Sequence, residues 1–189
     1  MPGRDHCSLL LRDVPPWCAW YRYGMRPRYI GMQWRYHFGV CRSWSVMARA
    51  DRAVENFRQG CNCSQAVLTA FAADYGMDET TAALVARGFG GGMGRTGGVC
   101  GAVSGAVMVI GLSTRAIEDA GEGKQRAYAL VREFFRLFGE RRPSIECRAL
   151  LGYAIGDPEM YVLIKEQDLF ETVCAGVIRD AAEVLEAIL

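Results

Sequence analysis

The residues able to do chemistry in this sequence are thiols. From Met47 to the C-terminus there are five cysteines (Cys61, Cys63, Cys100, Cys147 and Cys174) and no histidine. A thiolate is a nucleophile, half of a redox couple and a ligand for soft metals. The missing histidine excludes Cys–His dyads, Ser–His triads, His-ligated zinc and Rieske-type ligation from this stretch. No Cys-x-x-Cys pair occurs, so the zinc-knuckle and thioredoxin signatures are absent. No Cys-x-x-Cys-His occurs either, so there is no covalent haem attachment motif. No acid pair or acid–histidine pairing marks a hydrolase. The spacings from Cys63 onward are 37, 47 and 27 residues, too wide for any local motif.

Helices are the elements that must position these thiols. Residues 48–59 are good helix formers and stop at Gly60. Asn62-Cys63-Ser64-Gln65 has the form of a capping box, opening a helix that runs to about Tyr75 and stops at Gly76. Asp78 can cap a third helix, from Glu79 to about Arg87. The run from Cys100 to Leu112 is apolar on every side, the mark of a helix enclosed in a core or in a membrane. Residues 124–138 carry Leu130, Val131, Phe134, Phe135 and Phe138 on one face, and Gly139 is expected to end that helix. Ser144 can cap a short helix carrying Cys147. A last helix is expected from about Phe170 to Ile188. No alternating strand run and no hairpin signal occurs. The expected fold is all-α, a compact helical bundle around a buried central helix.

On these boundaries Cys63, Cys100, Cys147 and Cys174 all fall near helix starts. Free N–H groups and partial positive charge there favour a thiolate. Cys63, Cys147 and Cys174 also lie on apolar stripes, which aims their sulfurs inward. Four inward thiols could meet at one site. The plainer alternative is that each packs as a small hydrophobe. Cys61 precedes the cap, as a loop residue or a resolving thiol.

The glycine-rich segment 88–98 contains Gly92-Met93-Gly94-Arg95-Thr96-Gly97, which matches G-x-G-x-x-G. It follows no strand and belongs to no βαβ unit, so it is no nucleotide motif of weight. Its better use is to let backbone pass close to the thiols. Arg95 is a candidate positive neighbour for a thiolate. Residues 96–114 form a 19-residue uncharged stretch, long enough to span a bilayer. Its five glycines and the apolar faces of neighbouring helices favour a buried helix instead, so no membrane partner is expected.

The order of these motifs resembles a known family. Asn62-Cys63-Ser64-Gln65-Ala66-Val67, the glycine loop, Cys100-Gly101-Ala102-x-x-Gly105, Cys147-Arg148-x-Leu150-Leu151-Gly152 and the late Cys174 are similar to the C_GCAxxG_C_C family. The resemblance covers residues 47–189. It implies an all-helical domain with four characteristic cysteines, here Cys63, Cys100, Cys147 and Cys174. Relatives are described as redox-active, some carry selenocysteine, and a related domain occurs in split-Soret-type cytochromes.

Composition divides the chain at the same place. Of 22 basic and 21 acidic residues, the first 46 positions hold seven arginines and two acids, which leaves residues 47–189 at a net −4. All four tryptophans, both histidines and Cys7, Cys18 and Cys41 lie in the first 46. That segment is expected to be an unstructured N-terminal extension and a translation artefact, with the true start at Met47; the alternatives are a basic, aromatic arm that contacts membrane or nucleic acid, and a folded extra element. The acidic remainder argues against a nucleic-acid partner. The reading is a cytoplasmic redox protein, possible as an oxidoreductase, served by an unidentified redox partner protein. Its four cysteines would perform thiol/disulfide exchange or electron transfer. The alternatives are an iron–sulfur cluster, and a structural four-cysteine zinc module, each ligated by those same residues.

Overall fold

The computed structural model describes residues 47–189; the readings made for residues 1–46 lie outside the described residues. Eight α-helices carry the described fold: α1 Arg49–Arg58, α2 Cys63–Ala72, α3 Glu79–Ala86, α4 Gly101–Ser113, α5 Ala120–Arg141, α6 Cys147–Leu151, α7 Pro158–Glu166 and α8 Ala175–Ile188. Among these residues there is no strand, only an isolated bridge between Val99 and Glu146. The all-α expectation therefore holds.

Local signals set most boundaries. The Asn62 side chain accepts from the N–H groups of Ser64 and Gln65, and Gln65 Oε1 accepts from Asn62 N–H at 3.0 Å, closing the capping box of α2. Gly76, with φ 73, stops the helix where expected, after a 3₁₀ turn over Ala73–Tyr75. Asp78 caps α3 through Thr81 N–H at 2.9 Å.

Two boundaries differ from the sequence reading. α5 is longer, starting behind the Asp119 cap and passing through Gly139 to Arg141. A glycine inside a helix costs only about 1 kcal/mol, which 22 residues of helix carry easily. The real stop is Pro143, which pushes Arg142 into an extended conformation (φ −132, ψ 138). Likewise, Ser144 is not the cap of α6. Glu146 holds that position, and the Ser144 hydroxyl accepts from Glu146 N–H at 3.0 Å. Helix α7 was not anticipated, although Asp157 as N-cap with Pro158 at the first helical position is a standard start signal.

The core centres on α2 against α4. Every residue of α2 from Ser64 to Ala72 is buried, as is the first half of α4. Gly101 and Gly105 make this approach possible. A Cβ on Gly105 would sit 2.8 Å from the Ser64 carbonyl, and one on Gly101 3.0 Å from Ser64 N. α1 and α8 pack on α2, and α5 packs on α8 and α4. Phe71, Phe134 and Phe138 are the largest fully enclosed side chains. Each contributes roughly 1.5–3 kcal/mol by leaving water. α4 has 13 residues, and no helix among the described residues is long and apolar enough to cross a membrane.

A candidate thiol site

Each of the four predicted cysteines stands where a helix begins or is re-entered. Cys63 is the first residue of α2, Cys100 the N-cap of α4 and Cys147 the first residue of α6. Cys174 ends a π-helical turn, Phe170–Cys174, that leads into α8. Such wide turns are uncommon and often found at functional sites.

Backbone hydrogen bonds draw two of these starts together. Cys100 N–H donates to the Ile145 carbonyl at 2.8 Å, and Cys147 N–H to the Gly98 carbonyl at 2.7 Å. Arg148 N–H to the Gly97 carbonyl, at 3.0 Å, extends the clamp. Sequence reasoning missed it, because neither segment alternates or reads as a strand.

All four side chains line one cavity of about 10 Å³, closed by Leu150, Leu151, Val173 and Val177. That volume holds about one water molecule. Cys100, Cys147 and Cys174 are buried, and Cys63 is half-buried. Cys61 is buried too, but it is not among the lining residues.

The glycine loop passes close to Cys147 and Cys63, as expected. Residues 91–95 form a left-handed turn, with φ of 63, 67, 60, 63 and 67. A Cβ on Gly92 would lie 2.8 Å from Cys147 Cβ and 2.6 Å from the Gly98 carbonyl, so only glycine fits there. The loop amides serve the loop: Arg95, Gly97 and Gly98 N–H donate to the carbonyls of Gly90, Gly91 and Gly92. They do not form an outward phosphate cradle.

The electrostatics reverse the expectation drawn from helix N-termini. The Cys63 thiol is held well above its ordinary range, first because it donates a hydrogen bond to Cys174 and then because it is desolvated. The amides of Cys63 and Gly91 favour its thiolate but are outweighed. Burial pushes Cys100 up to about 12, against the pull of the Ala102 and Val103 amides. Cys147 is pushed up to about 12 by burial and by its neighbours Cys100 and Cys63. Desolvation in an apolar pocket exceeds what a helix terminus returns.

Arg95 is not the thiolate's cation. Its guanidinium stacks on Tyr161, 4.4 Å from the ring centre. The cation that acts on Cys100 is Arg142, which no spacing signal marks. Arg142 Nε is itself engaged by Asp180 Oδ2 at 2.5 Å.

Four thiols are chemically suited to a soft metal. Their arrangement is less so. Among the described residues no group of three or more His, Cys, Asp or Glu side chains is placed to hold a metal ion.

The model of the family described as "Putative redox-active protein (C_GCAxxG_C_C)" matches residues 61–188. The chain belongs to this family. Its matched span contains all four cavity cysteines. No curated protein and no solved structure matches the chain.

Proposed function

We propose that this member of the C_GCAxxG_C_C family is a thiol–disulfide redox protein whose working dithiol is Cys63 and Cys174, with Cys100 and Cys147 as adjoining thiols of the same site. One observation carries the reading: Cys63, Cys100, Cys147 and Cys174 line one small cavity, and within it Cys174 is the neighbour that acts most strongly on the Cys63 thiol. Two thiols facing one cavity are candidates to form a disulfide. On oxidation both S–H bonds break and one S–S bond forms. Two protons and two electrons leave, and an incoming disulfide takes them up to become two thiols. The apolar walls keep Cys63, Cys100 and Cys147 protonated at rest. Protonated thiols react slowly, so the site favours an oxidant that is held beside it over one met at random.

An iron–sulfur cluster or zinc fits the donor type, but among the described residues no three such side chains are placed to hold a metal ion. A cavity with room for about one water would have to open to admit a cluster. No step is assigned to either.

Anaerobic purification followed by metal and sulfide analysis, then peptide mapping before and after mild oxidation, tests the proposal. The expected result is a colourless protein in which oxidation links the Cys63 and Cys174 peptides and dithiothreitol separates them. Stoichiometric iron with sulfide, or stoichiometric zinc released when these cysteines are replaced by serine, would overturn it. So would four thiols that resist both oxidation and alkylation.

A further inference from the structure

Beside the thiol cavity lies a second cluster that the redox reading leaves unused. The Arg95 guanidinium stacks 4.4 Å from the centre of the Tyr161 ring and donates to the Tyr161 hydroxyl at 3.3 Å. The Lys165 ammonium lies 4.8 Å from the centre of the same ring. The two cations are therefore no more than about 9 Å apart, comparable with the screening length of about 8 Å at physiological salt. Among the described residues neither forms an ion pair with a carboxylate.

Backbone conformation adds an independent observation. Arg95 has φ 67, a left-handed value that disfavours a residue with a Cβ. The same loop uses glycine at 91, 92, 94 and 97, where φ is also positive, and carries Met93 at φ 60. Glycine at 95 would meet the backbone's need without strain. Arginine there carries a side chain that reaches the Tyr161 ring and hydroxyl.

The cluster is also joined to the thiols. The Arg95 stem crosses Gly91, whose added Cβ would meet Arg95 Cγ at 3.0 Å, and the Gly91 amide acts on the Cys63 sulfur. Tyr161 packs on Phe170, 5.8 Å between ring centres, at the start of the turn that ends in Cys174.

We propose that Arg95, Tyr161 and Lys165 form an anion-binding platform that selects a small carboxylate-bearing disulfide as the oxidant of the neighbouring thiols. This rests on the thiol–disulfide reading above and adds the substrate's charge. The carboxylate lies against the paired cations and the disulfide reaches toward the cavity. There a protein thiol gives up its proton and attacks one sulfur as the thiolate; the small S–S bond breaks, a mixed disulfide forms, and the small thiolate that leaves takes up the proton. The second protein thiol then displaces the other, closing the protein disulfide and releasing two small thiols in all.

Two aromatic disulfides of similar size but different charge test this: anionic dithiobis-nitrobenzoate and neutral dithiodipyridine. Their reaction with the full chain is followed peptide by peptide at the four cavity cysteines. The wild-type protein is expected to favour the anionic probe, and the preference to shrink as salt is raised. Arg95→Asn, which keeps a residue tolerant of left-handed φ, and Lys165→Gln on the exposed face of α7 should each lower that preference about fivefold. Both should lower the anionic probe's rate more than the neutral probe's, with the circular dichroism spectrum retained. If both probes react and their ratio is the same in wild type and variants, the platform is wrong and the thiol reading survives. If neither probe reaches any of the four cysteines, both fall.

Discussion

A thiol at a helix start is subject to two opposed effects, and Cys100 shows which prevails. The amides of Ala102 and Val103 favour its thiolate, yet loss of water pushes it up to about 12. At Cys63 the hydrogen bond donated to Cys174 adds to the same direction. Alkylation of Cys100 by iodoacetamide should therefore still be rising at pH 10 and above, where an exposed thiol has levelled off. A plateau near pH 9 would contradict this. The linkage has a matching sign. The folded thiol, at about 12, holds its proton more tightly than an unfolded one at 9.0. The stability it contributes is complete below pH 9 and is lost as pH climbs toward 12. Urea midpoints measured from pH 8 to 11 should fall, and fall less steeply in Cys100→Ala.

At the scale of elements, the α2–α4 contact holds the first two cysteines in place, and its glycines decide it. Gly105→Ala would drive a methyl to 2.8 Å from the Ser64 carbonyl. It should cost about 1–3 kcal/mol in denaturant unfolding, the usual range for overpacking. Gly111→Ala, on the same helix, meets nothing within 4 Å. It should instead stabilise by up to about 1 kcal/mol through helix propensity. Equal effects at the two positions would show that the close crossing is not what these glycines provide. The capping box makes a second element-scale test. Asn62 also donates to the Arg87 carbonyl at 2.9 Å, tying α2 to the turn that leads into the glycine loop. Asn62→Ala should cost about 1 kcal/mol, seen as a lower thermal midpoint.

Across the whole molecule, the cavity joins two bodies of packing. Cys63 and Cys100 come from the α2–α4 core. Cys147 and Cys174 belong to a smaller cluster with Leu151, Ile155 and Ile164. Arg58 pairs with Glu171 across the same junction. A Cys63–Cys174 disulfide would cross-link the two over a separation of 111 residues. Closing so long a loop restricts the unfolded chain. The oxidised protein should thus be more stable than the reduced one by roughly 2–4 kcal/mol, read as a higher denaturant midpoint. No gain, or a loss, would mean that the bond strains the native packing.

Much of this protein was legible from its sequence, because the signals were local. The capping box at Asn62, the stops at Gly60 and Gly76 and the apolar face of α5 each depend on neighbours within a turn or two. They set the helices, and with them the four cysteines at helix starts. The Gly139 and Ser144 readings erred for the same reason. Each weighed one residue's preference where Pro143 and the length of α5 decided the outcome. What local pattern cannot carry is distance in space. The clamp between residues 97–100 and 145–148, the contact of Cys63 with Cys174 and the place of Arg142 all join segments far apart in the chain. The sign of the thiol shifts belongs with these. A helix terminus is written in the sequence, but the loss of water that outweighs it exists only once the walls of the cavity have closed.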